Sequence, residues 1–203
     1  MMEVIKACST FFLYAVTAIF AENAVFSRAM GVSRLVKLVE DSTVDTLTFG
    51  GLLCLIQLVA APLTYWVNLL LTPLSWRNAV RPFLFILCST VAFFVVLGVL
   101  LLVLKEKARR MLAVLPMATF NTAVLGVLLI AATQSFNLVQ TMGFALGSGM
   151  GYTAAVVVVS EGQRRMRQDM VPGSFKGLPI TLIYIGILAL AIYGFTGHRI
   201  SIG

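Results

Sequence analysis

Residues 111–160 form a run of fifty amino acids without one charged side chain. A soluble surface needs charged and polar groups, and a stretch of this length cannot all be hidden inside one small core. Composition says the same of the whole chain. Its 203 residues are 60% hydrophobic and 11% charged, where globular domains run at roughly 45–50% and ~25%. Disorder, a collagen-like repeat and a disulfide framework are excluded on the same grounds. The sequence reads as an integral membrane protein.

The charges themselves locate the crossings, because about 20 apolar residues span the hydrocarbon. Lys6 and Arg28 bound a first stretch, interrupted by Glu22 and Asn23. Asp45 and Arg77 bound a second, with its span from about Leu47 to Leu70. Arg81 and Lys105 bound a third, which one helix fills. The run from Arg110 to Glu161 is too long for one crossing, and Thr133-Gln134-Ser135 with Asn137 divides it into a fourth and a fifth. Lys176 and His198 bound a sixth. The runs are continuous rather than alternating, so the expectation is six helices and not a β-barrel. The first stretch lacks a strongly basic start and a small-residue cleavage site, so it is read as structure rather than a signal peptide.

Basic residues mark the cytoplasmic side of short membrane loops. The connections after helices one, three and five hold eleven: Arg28, Arg34, Lys37, Lys105, Lys107, Arg109, Arg110, Arg164, Arg165, Arg167 and Lys176. The other side holds four: Lys6, Arg77, Arg81 and Arg199. Both termini are therefore expected outside the cytoplasm, in a bacterial or archaeal cytoplasmic membrane. The bias also explains the net charge of +7 without nucleic acid as a partner, since no aromatic-basic motif accompanies it.

Two segments echo each other. Ala21-Glu22-Asn23-Ala24-Val25 in the first span and Phe120-Asn121-Thr122-Ala123-Val124 in the fourth each set an asparagine among apolar residues. Such an echo suits two inverted three-helix repeats, about 1–105 and 106–203, within a single transmembrane domain. An amide in hydrocarbon is costly unless paired. Asn121 stands about 10 residues, or ~15 Å, into its span, and Pro116 before it removes a backbone donor. Broken first and fourth helices follow, with the amides capping the breaks, joining neighbouring helices or serving an ion path. Glu22 also has open readings: an ion or proton site, or else an ion pair with Arg28 or plain exposure at the interface. Gly143, Gly147 and Gly151 repeat at four-residue intervals on one helix face, a pattern for close helix packing.

Classical catalytic chemistry finds no footing. Cys8, Cys54 and Cys88 lie far apart in three spans, so no zinc or iron-sulfur site follows from spacing. His198 is the lone histidine, without a partner at ligand spacing. Neither a catalytic residue nor a metal ligand is assigned.

Four segments resemble the NqrDE/RnfAE membrane subunits of Rnf and Na+-translocating NADH:quinone oxidoreductase complexes. They are AENAVFSRAMGVS (Ala21 to Ser33), PMATFNTAVLG (Pro116 to Gly126), GSGMGYT (Gly147 to Thr153) and VPGSFKGLPITLI (Val171 to Ile183). The second and fourth look most like the RnfA branch of the family, whereas Glu22-Asn23 looks like its NqrE counterpart. The resemblance implies a six-helix inverted repeat, paired with an oppositely oriented homologous subunit within a larger Rnf/Nqr-type assembly. In the family each of the pair supplies two cysteines to a shared [2Fe-2S] cluster, and electron passage is coupled to Na+ or H+ movement. Here the family cysteines fall on Ser33 and Thr122. Hydroxyls are poor substitutes for thiolates at iron, so no cofactor is predicted for this chain.

The expected function is a membrane subunit of an Rnf/Nqr-type complex that couples electron transfer to ion translocation. In the favoured form it is a divergent paralogue without its own cluster ligands, with Glu22, Asn23 and Asn121 lining the central break. The alternatives are a small inverted-repeat secondary transporter and a structural assembly subunit. The lipid bilayer is a partner in all three.

Overall fold

The computed structural model describes residues 2–40, 45–104, 108–166 and 171–196. Lys105, Lys107, Arg167, His198 and Arg199 of the sequence reading lie outside them. Among the described residues the chain is helical throughout, without strands. In order it forms α1 (Met2–Ile19), α2 (Val32–Glu40), α3 (Thr46–Leu71), α4 (Arg77–Leu104), α5 (Ala108–Thr119), α6 (Thr122–Thr133), α7 (Leu138–Arg165) and α8 (Leu178–Thr196), with a 3-10 turn at Gly173–Phe175 before α8. Among the described residues five helices are long and apolar enough to cross a membrane: α1, α3, α4, α7 and α8. The α5–α6 pair, bent by 44°, is a sixth crossing when taken as one broken span. This is an all-α, multi-pass membrane protein.

Local chemistry sets the helix ends. Asp45 caps α3, its carboxylate accepting from the backbone of Leu47 and Thr48 at 3.4 and 3.2 Å and from Thr48 Oγ1 at 2.6 Å. These bonds, the Thr48 hydroxyl first, hold the Asp45 carboxyl below the usual carboxylate range. Asn137 and Gln140 form a reciprocal capping box at the start of α7, with bonds of 2.9 and 2.8 Å. Pro62, Pro82 and Pro116 sit inside α3, α4 and α5. Pro116 comes just before the bend, where the ladder is already one donor short.

The expectation that Ala21–Val25 lies within the first helix is corrected by the structure. α1 ends at Ile19, and twelve residues of turns, 20–31, follow before α2. The reason is the Asn23 amide. Its Nδ2 donates to Ile19 O at 2.8 Å, and its Oδ1 accepts from the backbone of Val25 and Phe26 at 2.9 and 3.1 Å. A side chain that satisfies backbone groups on both sides of itself competes with the helix and ends it.

α3 and α7 form the centre, antiparallel, with Phe49, Leu52, Leu53, Ile56, Phe144 and Tyr152 fully buried between them and their neighbours. α1 lies parallel to α7: Gly143, Gly147 and Gly151 face the backbone of Phe11, Ala15 and Ala18–Ile19 in register. α5 packs along α3 and α4. α8 meets α7 near one end, where Gln163 Nε2 donates to Thr181 Oγ1 and Gly162 faces the Tyr184 ring. These directions put Arg164, Arg165 and Lys176 at one end of the bundle and Lys6, Arg77 and Arg81 at the other.

The α1–α7 seam yields a direct test. A Cβ at Gly143 or Gly147 would run into the carbonyl oxygen of Phe11 or Ala15, and backbone cannot swing away. Gly147→Leu is expected to lower stability by about 2 kcal/mol or more, the scale of overpacking a tight interface. Gly98→Ala, in open space on α4, is expected to leave it unchanged or slightly raised. Thermal unfolding of the two detergent-solubilised variants against the parent checks both.

Candidate functional site at the two helix breaks

Two interruptions meet inside the bundle: the segment 20–31 between α1 and α2, and Phe120–Asn121 between α5 and α6. Asn23 is 3% exposed, and its amide is used completely. Besides its local bonds, Nδ2 donates to Gly151 O on α7 at 3.2 Å. Asn121 is 4% exposed and caps α6, its Oδ1 accepting from Ala123 N at 3.1 Å. Its Nδ2 is buried without a hydrogen-bond partner.

The breaks are stitched together at Gly31. Its N–H donates to Thr122 Oγ1 at 2.9 Å, and its carbonyl accepts from the Tyr152 hydroxyl at 2.8 Å. Tyr152 also lies against Phe49, ring centroids 6.0 Å apart. Only glycine serves at position 31. Its φ is +72°, and a Cβ would stand 2.6 Å from both Asn121 Oδ1 and Tyr152 Cε2.

Beside this junction is a polar pocket of about 170 Å³ lined by Ser33, Arg34, Lys37, Phe120, Asn121 and Thr122. Ser33 and Thr122, 89 positions apart in sequence (122 − 33), thus share one cavity. Arg34 and Lys37 make that cavity electropositive.

Glu22 stands apart from it. The Glu22 carboxylate accepts from Arg28 Nε at 2.9 Å and from its Nη2 at 2.5 Å, with each side chain about one-third exposed (34% and 38%). The structure therefore places it in an ion pair within the turn segment. Gly143, Gly147 and Gly151 belong to the α1–α7 seam, and Gly151 touches the site only through its carbonyl's bond from Asn23.

Residues 11–198 match the family described as Rnf-Nqr subunit, membrane protein. The chain belongs to that family. Among its relatives, the A subunit of the Na(+)-translocating ferredoxin:NAD(+) oxidoreductase complex of Acetobacterium woodii is 28% identical over 95% of this chain and 100% of its own. The A subunit of an ion-translocating oxidoreductase complex of Syntrophotalea carbinolica is 30% identical over 91% and 95%. The E subunit of the Na(+)-translocating NADH-quinone reductase of Shewanella denitrificans is 34% identical over 41% of each.

The pocket of this Rnf-Nqr subunit does not fit half of an iron-sulfur cluster. Iron in such clusters takes soft, anionic thiolates. Here the two candidate positions offer neutral hydroxyls, and Thr122 Oγ1 already accepts the Gly31 N–H. None of the cysteines lines the pocket. Cys8 is exposed on α1, Cys54 packs at Gly149, and Cys88 is buried on α4. Among the described residues no three of His, Cys, Asp and Glu come together as metal ligands do.

Two residues of consequence escape a reading of the sequence. Tyr152 is in the quoted GSGMGYT segment, but its role depends on a carbonyl 121 positions away. Gln57 is fully buried on α3 with neither amide atom bonded. Its signal is the one Asn121 also gives, an amide within an apolar span.

The junction predicts a graded response to mutation. Tyr152→Phe removes one bond to Gly31 O and is expected to cost about 1–2 kcal/mol. Asn23→Leu keeps the size but strips two carbonyls and two N–H groups of their partner. It is expected to cost more than about 3 kcal/mol, at ~1 or more for each group. Unfolding midpoints in detergent, parent against variants, rank the two.

Proposed function

We propose that this protein is a membrane subunit of an Rnf/Nqr-type complex that couples electron transfer to the translocation of Na+ or H+, and that it does so without iron-sulfur ligands of its own. The observation carrying this reading is the pocket at the helix breaks. Ser33 and Thr122 share it, so the scaffold that places two ligand positions side by side is retained while the ligand chemistry is not. Similarity along nearly the whole chain to the A subunits of two ion-translocating complexes supports membership of such an assembly.

The reading extends to an inverted repeat, with α1–α4 and α5–α8 as its two halves. Packing that exchanges partners symmetrically supports it. α1, the arm before the first break, lies along α7, and α5, the arm before the second, lies along α3. Each arm is followed by a break with an asparagine in it. An oppositely oriented homologous subunit is then the partner whose residues complete the central region. Within the complex this chain acts as scaffold and part of the ion path, with Asn23 and Asn121 at the breaks. Glu22, tied to Arg28, contributes charge at the edge of that region rather than a free carboxylate.

Anaerobic purification of the complex from native membranes, with iron analysis and EPR, tests the claim. The expected result is co-purification with homologous and redox-active subunits, and no cluster signal that depends on this chain. A Ser33→Cys, Thr122→Cys double variant is expected to gain iron in the assembled complex. Stoichiometric iron held by the unmodified chain overturns the claim. A stable homodimer lacking any redox partner would instead favour a self-sufficient transporter.

The charge asymmetry supports termini outside the cytoplasm, in the cytoplasmic membrane of a bacterium or archaeon. Reporter fusions after Gly203 are expected to be active only on the extracytoplasmic side. Activity in the cytoplasm would reverse the orientation.

A further inference from the structure

The end of the bundle away from Arg164 and Arg165 holds a second polar cavity, of about 540 Å³. It lies between the last turns of α3, the first turns of α4 and the α6–α7 connection. Arg77, Arg81, Asn68 and Tyr65 are among its walls, and no acidic residue is. We propose that this cavity binds the phosphate of an anionic phospholipid headgroup, with Arg81 as its inner donor and Arg77 as its outer one.

Arg81 carries the inference. It is only 9% exposed, yet its Nε is buried without a hydrogen-bond partner. Among the described residues neither Arg81 nor Arg77 is paired with a carboxylate. A guanidinium whose Nε is held out of water without an acceptor or counter-charge is costly, and it is kept where an anion completes it. Its planar fork matches two oxygens of a phosphate. Arg77 is half-buried at the mouth, with one contact to Thr72 O at 3.4 Å, and its other donors remain available.

The surroundings agree in sign. α4, 28 residues long, begins at Arg77, so the partial positive charge of its N-terminus adds to the two guanidinium groups. Asn68 Oδ1 is buried without a partner in the same cavity, and the amide can turn to present Nδ2 instead. Two fixed cations and a helix N-terminus exclude a metal ion as the occupant.

Position selects a lipid over free phosphate. Trp66 and Trp76, next in sequence to the cavity residues Tyr65 and Arg77, have 57% and 65% of their surface exposed, as indole rings at the membrane–water boundary do. Leu69 lines the wall and, with Leu70, continues outward as exposed apolar surface along which an acyl chain can lie. Basic pockets between helices at headgroup depth bind anionic lipids by this chemistry. The proposal is independent of the redox reading above.

The full chain in phosphatidylcholine nanodiscs, titrated with phosphatidylglycerol, provides the test, read by thermal unfolding and by lipid retained in native mass spectrometry. The unmodified chain is expected to gain stability with phosphatidylglycerol. Arg81→Gln is expected to retain it about tenfold or more less tightly, the weight of one charge-assisted hydrogen bond. Arg77→Gln is expected to weaken retention in part, and Lys6→Gln, in α1, not at all. Should Arg81→Gln fail to fold, the lipid titration and Arg77→Gln decide alone. Equal stability in the two lipids, or retention unchanged in Arg77→Gln and any folded Arg81→Gln, overturns the proposal. Inorganic phosphate that stabilises the chain equally in pure phosphatidylcholine and blocks phosphatidylglycerol marks a free-phosphate site and overturns the lipid assignment.

Discussion

No water reaches the interior of a bilayer, so every backbone group released by a broken helix must find its partner inside the protein. That requirement organises the centre of this molecule. Ending α1 at Ile19 frees carbonyls, and Asn23 Nδ2 takes one of them while also reaching α7. Starting α6 afresh frees N–H groups, and Asn121 takes one of those. Gly31 then joins the breaks, giving its N–H to Thr122 and its carbonyl to Tyr152. Side chains do here what a continuous helix does for itself, and they hold α2, α6 and α7 in one relative position.

The same physics decided how much could be read from the chain alone. Burial in hydrocarbon is a one-dimensional constraint, so charge positions located the spans closely. The expected Leu47–Leu70 became Thr46–Leu71, and the polar stretch at Thr133–Asn137 separates α6 from α7. The first helix failed the same treatment because its end is set in three dimensions. The sequence offered Asn23 as a cap for a broken first helix, but its bond to Gly151, 128 residues on, has no local signal. Glu22 and Arg28 blurred the boundary because they pair with each other across the turns instead of marking its edges. Tyr152 was invisible for a similar reason: an aromatic in an apolar span looks like core until a carbonyl is found at its hydroxyl. Gln57 is different, since its amide stands as plainly in an apolar span as that of Asn121. It has a proline as near, Pro62, and lacks only the internal echo that singles Asn121 out.

The pocket at the breaks separates architecture from chemistry. Ser33 and Thr122 converge with Arg34 and Lys37 around a small cavity, so convergence does not depend on thiolates being present. Thr122 has a structural duty in their place, accepting the Gly31 N–H. A hydroxyl is suited to that duty, being a better acceptor than a thiol.

The seam between α1 and α7 has a consequence for how this sequence can drift. α7 recognises α1 through peptide carbonyls at Phe11 and Ala15, atoms that every amino acid supplies. The side chains of Phe12, Leu13 and Val16 point away, with 52–66% of their surface uncovered. Their identity is nearly irrelevant to folding of this chain by itself, provided they stay apolar. That face of α1 is free to be rewritten for whatever lipid or neighbouring helix it meets, with the seat on α7 undisturbed.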